Sequence, residues 1–248
     1  SLRGRYIIDR IKSSISHRLK LPCPPYGKPE YWDKVYKNIP VDGMFEWGDI
    51  TLNDGLLHFD YNPNKYSDYT KQLGYTSSIS AFQSNEGKKI SCTFGDAIGV
   101  SPEENPPKKI IILGCGKSSL GEQMLENGWP GPIIQIDICQ RVLDDMSQRC
   151  SNEVSSGALK FVQDDATELN AFEDESVSAV VDKGLVDSLF CSEDHSQILD
   201  IMESVNRVLL PGGRFLFFSY SSPEFLLHRT VDEAKIRRRK MWQDINIW

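Results

Sequence analysis

From Lys109 onward, short apolar runs alternate with stretches of helical periodicity, and this alternation restricts the fold more than any other feature of the chain. The expected strand and helix pairs are Lys109–Leu113 with Leu120–Asn127, Ile133–Asp137 with Gln140–Cys150, Ser178–Asp182 with Ser196–Leu209, and Arg214–Tyr220 with Val231–Arg239. A further strand, Leu159–Gln163, is followed by a short segment. The strand runs are β-branched or aromatic without polar alternation, as in strands buried on both faces. Strands that alternate with helices form a parallel sheet with helices on both sides. The expected fold is therefore α/β, a Rossmann-like, doubly wound, mostly parallel sheet. Leu209-Leu210-Pro211-Gly212-Gly213 reads as a stop between helix and strand.

Ahead of this core lie two further stretches, giving a division into 1–47, 48–108 and 109–248. In residues 1–20, Ile7, Ile11, Ile15 and Leu19 recur at i+4 spacing among six bases, the pattern of a basic amphipathic helix. It reads as a surface helix, with an organelle-targeting segment as the alternative in an otherwise cytoplasmic protein. The stretch 48–108 reads as a small β-containing insertion, with strands in Gly55–Tyr61 and Lys88–Phe94 and a turn at Asn85-Glu86-Gly87.

Charge is unevenly distributed. Residues 21–230 hold 17 bases and 31 acids. An acidic body repels nucleic-acid phosphates and attracts basic partners. The run Arg237-Arg238-Arg239-Lys240 reads as a solvated helix end. The six cysteines include no C-x-x-C pair and the four histidines form no ligand motif, so reduced thiols and no metal are expected. No apolar run approaches the ~20 residues of a membrane span.

The chemistry-bearing residues cluster at the ends of the expected strands. Gly114-Cys115-Gly116-Lys117-Ser118-Ser119 follows the first one, where two glycines let the backbone turn sharply and approach a ligand. Ser119 occupies the third glycine position of a dinucleotide fingerprint. Asp137 ends the second strand, where a carboxylate can accept both hydroxyl protons of a ribose or serve as a helix N-terminal charge. Asp165-Ala166 follows the third, and Asp165 can accept from an adenine amine or cap the next turn. Asp182-Lys183-Gly184 follows the fourth, placing Asp182 beside the same crevice for a substrate-side role.

This order of glycine loop, acid, Asp-Ala and Asp-Lys-Gly resembles the class I S-adenosylmethionine-dependent methyltransferases. More narrowly, the chain is similar to the group that includes lysine methyltransferases of translation elongation factor 1-alpha. That group has a Tyr-Trp pair and a Phe/Glu-Trp motif ahead of the core, matched by Tyr31-Trp32 and Phe45-Glu46-Trp47. Its Gly-Cys-Gly-Asn-Ser loop is matched by Gly114–Ser118, with Lys117 in place of Asn, and its Asp-Lys-Gly-x-x-Asp-x-Leu segment by Asp182–Leu189. Lys117 would then place a cation beside a cationic cofactor.

The resemblance implies S-adenosylmethionine as cofactor, S-adenosylhomocysteine as product, and no metal. Gly114, Gly116 and Ser118 would hold the methionine part, Asp137 the ribose and Asp165-Ala166 the adenine, with Cys115, Ile138, Asp182 and Lys183 also at the cofactor. Tyr31, Trp32 and Trp47 would form an aromatic wall, or else clamp the N-terminal segment to the core. A basic protein is the expected substrate and its lysine amine the acceptor, with Asp182 orienting that amine. A small-molecule methyltransferase and a non-catalytic cofactor-binding scaffold are the alternatives.

Overall fold

A computed structural model describes residues 24–46, 52, 56–59, 90–191 and 196–219. The expected helix in residues 1–20, Trp47, the turn at Asn85–Gly87, the helix at Val231–Arg239 and the basic run after it lie outside these.

Helix α1 (Pro29–Tyr36) opens with proline at its start, where the missing N–H costs nothing and the fixed φ suits the first turn. Strands β1 (Leu56–Phe59) and β2 (Ile90–Thr93) pair antiparallel, with Leu56 opposite Thr93 and Phe59 opposite Ile90. Thr93 then begins α2 (Phe94–Ile98) with a reciprocal cap: its hydroxyl accepts the Asp96 N–H at 2.9 Å and the Asp96 carboxylate accepts the Thr93 N–H at 3.3 Å.

The main sheet contains β3 (Ile110–Leu113), β4 (Ile133–Asp137), β5 (Leu159–Gln163), β6 (Val177–Lys183) and β7 (Leu209–Phe218), in the spatial order β5-β4-β3-β6-β7. Every neighbouring pair in it is parallel. The connecting helices are α3 (Leu120–Glu126), α4 (Gln140–Arg149), α5 (Ser151–Ser155), α6 (Leu185–Phe190) and α7 (Ser196–Val208). The chain leaves β3 toward β4 and β5, then crosses back to β6 and β7 on the other side. The strand order thus reverses between β3 and β6, which is where a doubly wound sheet opens a crevice at its strand C-ends.

The two faces of the sheet carry separate cores, because successive strand residues point to opposite sides. On one face Ile110, Ile112, Ile133 and Val181 pack with Met124, Leu143 and Met146 of α3 and α4, and with Tyr36 and Ile39 of the N-terminal segment. On the other, Ile111, Leu113, Ile136 and Val180 pack with Val186, Ile201 and Val205 of α6 and α7. The stop after α7 falls where the sequence placed it, but the following strand starts earlier than expected. Leu209 already pairs with Val177, and Arg214 pairs with Ala179, so residues 210–213 bulge out opposite Ser178. Gly212 takes up the positive φ of +82° in that bulge.

Candidate functional site

A cleft lies over the C-ends of β3, β4 and β6. Its floor is the glycine loop after β3. Gly114 and Gly116 both have positive φ, +52° and +51°, a conformation that L side chains rarely adopt. A Cβ on Gly116 would also stand 2.7 Å from the Tyr36 hydroxyl, so glycine is what keeps the aromatic wall close to the loop. Cys115 donates its N–H to the Ile136 carbonyl at 2.9 Å, tying the loop to β4.

Asp137 is the polar centre of this floor. One carboxylate oxygen accepts the Gly116 N–H at 2.9 Å and the other the Cys139 N–H at 2.9 Å. A carboxylate has about four acceptor positions, so two remain available. Burial pushes its pKa up to about 6, against the lowering effect of the Cys139, Gly116 and Ile138 backbone N–H groups. The same burial, with Asp137 nearby, raises the Cys115 thiol and the Tyr36 phenol well above their ordinary values.

The cleft's far end is formed by the turn after β5. Asp165 and Ala166 line it, and Asp165 Oδ1 accepts both the N–H and the hydroxyl of Thr167, at 2.9 and 2.7 Å. The other oxygen of Asp165 has no partner among the described residues. Ile138 lines the cleft beside Asp137. Gly114, Cys115, Gly116, Ser118 and Lys183 complete the set of expected residues that the fold brings together here.

The aromatic wall differs in membership from the expected one. Trp32 lines the cleft, stacked on Tyr36 with ring centroids 5.8 Å apart and an interplanar angle of 23°. Its indole N–H donates to the Tyr26 carbonyl at 2.6 Å. Tyr31 does not line the cleft. It lies one step behind, edge-on to Tyr26 at 5.1 Å and to Trp32 at 5.2 Å. Tyr26, Tyr36 and Phe45 line the cleft although the sequence reading had not placed them there.

Two charged residues also sit differently from expectation. Lys117 does not face the cleft. Its side chain is fully buried on the side of α4 and pairs with Asp145 at 2.6 Å. Its ammonium also donates to the Ile39 and Pro40 carbonyls, at 3.2 and 2.6 Å. Far from adding a cation to the site, it fastens the N-terminal segment to the core. Asp182, expected to orient an acceptor amine, is 0 % exposed and is not part of the cleft lining. Its oxygens accept the Leu185 and Val186 N–H groups at 2.8 and 3.1 Å and so cap α6. Burial raises its pKa to about 7. The period of two explains the difference: Asp182 shares the Val180 face, whereas Lys183 shares the Val181 face with the N-terminal segment.

Glu46 was not singled out from the sequence except as part of a motif. One of its oxygens accepts the N–H and hydroxyl of Ser119, at 2.6 and 2.7 Å. The other accepts the Ser118 hydroxyl at 3.0 Å and pairs with Lys183. Burial would raise this carboxyl, but Lys183 and the Ser119 donors outweigh it and leave its pKa below the usual glutamate value.

A doubly wound sheet whose first strand runs into a glycine loop, with an acid at the end of the next strand bound to that loop, is the arrangement in which nucleoside-bearing ligands are held at the strand C-ends. Residues 111–217 match the family model described as a methyltransferase domain. Over 164 residues the chain is 30% identical to the eEF1A lysine and N-terminal methyltransferase of Bos taurus, covering 63% of this chain and 23% of that protein. The Danio rerio protein of the same name is 36% identical over 111 residues, 45% of this chain and 16% of that one. The EEF1A lysine methyltransferase 4 of Mus musculus is 24% identical over 210 residues, 81% of this chain and 64% of that one. The chain thus spans less than a quarter of the length of the first two relatives. Among the described residues, no group of three or more His, Cys, Asp or Glu could hold a metal, and no helix is long and apolar enough to cross a membrane.

Proposed function

We propose that this chain transfers a methyl group from S-adenosylmethionine to the side-chain amine of a lysine in a protein, with elongation factor 1A as the first candidate. The observation that carries the reading is the Asp137 carboxylate. It is anchored to the glycine loop through Gly116, retains acceptor capacity, and lines a cleft that Trp32 and Tyr36 line as well. The residues present fit the cofactor. Asp137 would accept the ribose hydroxyls and the unpaired oxygen of Asp165 the adenine amine, while the glycine loop would take the methionine part. The rings of Trp32 and Tyr36 suit a sulfonium by cation–π attraction.

When bound, the cofactor supplies an activated methyl whose bond to sulfur breaks as the amine nitrogen forms the new bond, the sulfur keeping the electron pair. The protein's contribution is alignment, which is worth about 7–11 kcal/mol in well-oriented systems. A lysine amine is neutral in only about one molecule in a few thousand at pH 7. The apolar, partly enclosed cleft favours that neutral form by desolvation. Asp182, buried and engaged by α6, is not placed to take the amine's proton.

The test begins with calorimetric titration of the purified chain with S-adenosylmethionine. Incubation with methyl-tritiated donor follows, using purified elongation factor 1A and fractionated lysate. Binding is expected, with label in a protein band that mass spectrometry maps to lysine. Label in the small-molecule fraction would transfer the assignment to that class of acceptor. Binding without label anywhere would leave a scaffold, and absence of binding would remove the reading altogether.

A further inference from the structure

Glu46 accepts four hydrogen bonds, from the Ser118 hydroxyl, the Ser119 N–H, the Ser119 hydroxyl and the Lys183 ammonium. Four is about the full capacity of a carboxylate, so none is left for a ligand. Glu46 also lies outside the cleft lining, whereas Lys183 is part of it. The two residues are 137 positions apart and pair across the junction of the N-terminal segment, the glycine loop and the end of β6. The Lys183 side chain is only 3 % exposed, so water does little to screen its charge. A cleft that receives a sulfonium must not present a bare ammonium as well. As a scale for such repulsion in general, unit like charges ~8 Å apart at an effective dielectric of ~20–40 repel by an amount equivalent to roughly five- to thirtyfold in affinity.

We infer that Glu46 is a positioning residue of this site: it holds Lys183 as a neutral pair in the cleft wall and thereby lets the cleft accept a cation. This rests on the proposed S-adenosyl ligand. The inference concerns charge rather than shape, and the two adenosyl ligands separate these. S-adenosylmethionine carries the sulfonium charge, while S-adenosylhomocysteine has a neutral sulfur and otherwise the same groups. Loss of the loop's shape weakens both ligands alike; loss of charge compensation weakens only the first.

The experiment is calorimetric measurement of both dissociation constants for the wild type, Glu46→Gln, Lys183→Met and the double variant. In Glu46→Gln, affinity for S-adenosylmethionine is expected to fall about five- to thirtyfold more than affinity for S-adenosylhomocysteine. In Lys183→Met, where an unpaired carboxylate remains, preference is expected to shift several-fold the other way. In the double variant the ratio should return to within about twofold of wild type, whatever happens to the individual affinities. Should Glu46→Gln fail to fold, Lys183→Met is still expected to shift the ratio and the double variant to keep that of the wild type. A ratio unchanged in the foldable single variants, with both ligands weakened or strengthened equally, overturns the inference. A wild type that binds neither ligand sinks the cofactor reading instead.

Discussion

Gln135 sits in the middle of β4, 0 % exposed, with neither end of its amide hydrogen-bonded among the described residues. Its neighbours on that face, Ile133, Met124 and Leu143, are apolar, and a Cβ on Gly121 of α3 would approach its nitrogen to 2.4 Å. The close approach of helix and strand leaves the amide no room to turn toward a partner. A buried unpaired polar group costs about 1–3 kcal/mol, and an apolar side chain of the same length avoids that cost. Gln135→Met is therefore expected to raise the melting temperature by roughly 2–12 °C, given ~2–4 °C per kcal/mol for a chain of this size. Thermal unfolding followed by circular dichroism checks this, and a fall in melting temperature would mean that the amide is satisfied. At this same scale the sequence was informative about residue type and poor about direction. Asp137 and the two glycines were legible because a strand end and a following glycine pair fix where they lie. Whether Lys117 or Asp182 faces the cleft depends on side-chain direction and on partners that only the fold supplies, Asp145 in one case and the α6 N–H groups in the other.

Among the elements, the sheet was the most readable part. Strands buried on both faces leave unbroken apolar runs, as β4 does with all five residues buried; the edge strand β5 also has its predicted bounds, although only Leu159 of it is fully buried. The N-terminal segment was not readable in this way, since what places residues 24–46 is contacts to residues far along the chain. Arg141 reaches Asp33 at 2.6 Å, the Phe45 N–H donates to the Lys117 carbonyl at 3.3 Å, and Lys117 holds Ile39 and Pro40. Arg141 and Asp33 are both largely exposed, and such pairs contribute about 0–1 kcal/mol. Lys117 is the stronger fastening because it is buried and its partners are left unpaired without it. Lys117→Met is expected to weaken the docking of the N-terminal segment by about 3–5 kcal/mol, toward the lower end because Asp145 is partly exposed and can rehydrate. Hydrogen exchange read by mass spectrometry should show the loss of protection concentrated in residues 29–46 and α4, with β3 and β6 exchanging as before. Uniform loss across the sheet would show instead that Lys117 supports the core and not the segment.

For the molecule as a whole, acid acts on stability and on ligand binding in opposite directions. Asp137 and Asp182, with pKa values raised to about 6 and about 7 by burial, bind protons more tightly folded than unfolded, where a carboxyl sits near 3.8. Stability therefore gains from both groups as pH falls from about 7 to about 4, since the native state binds more protons over that window. Glu46 behaves oppositely. Its lowered pKa gives stability that is present above its ordinary value of 4.5 and is lost as pH falls through the folded value below it. The unliganded protein is thus expected to hold or gain melting temperature from pH 7 to about 5 and to lose it below about 4.5. The proposed ribose recognition needs Asp137 ionised, because a protonated carboxyl has given up acceptor capacity for a donor. The rise in melting temperature produced by saturating S-adenosylhomocysteine should accordingly shrink as pH drops through about 6, over the range where the unliganded protein is no less stable. S-adenosylhomocysteine is the better probe here, because it avoids the sulfonium charge and leaves Asp137 as the group whose ionisation is read. A ligand-induced shift that stays constant from pH 8 to pH 5 would mean that Asp137 does not carry the ribose, and would leave its carboxylate as a purely structural tie between the glycine loop and β4.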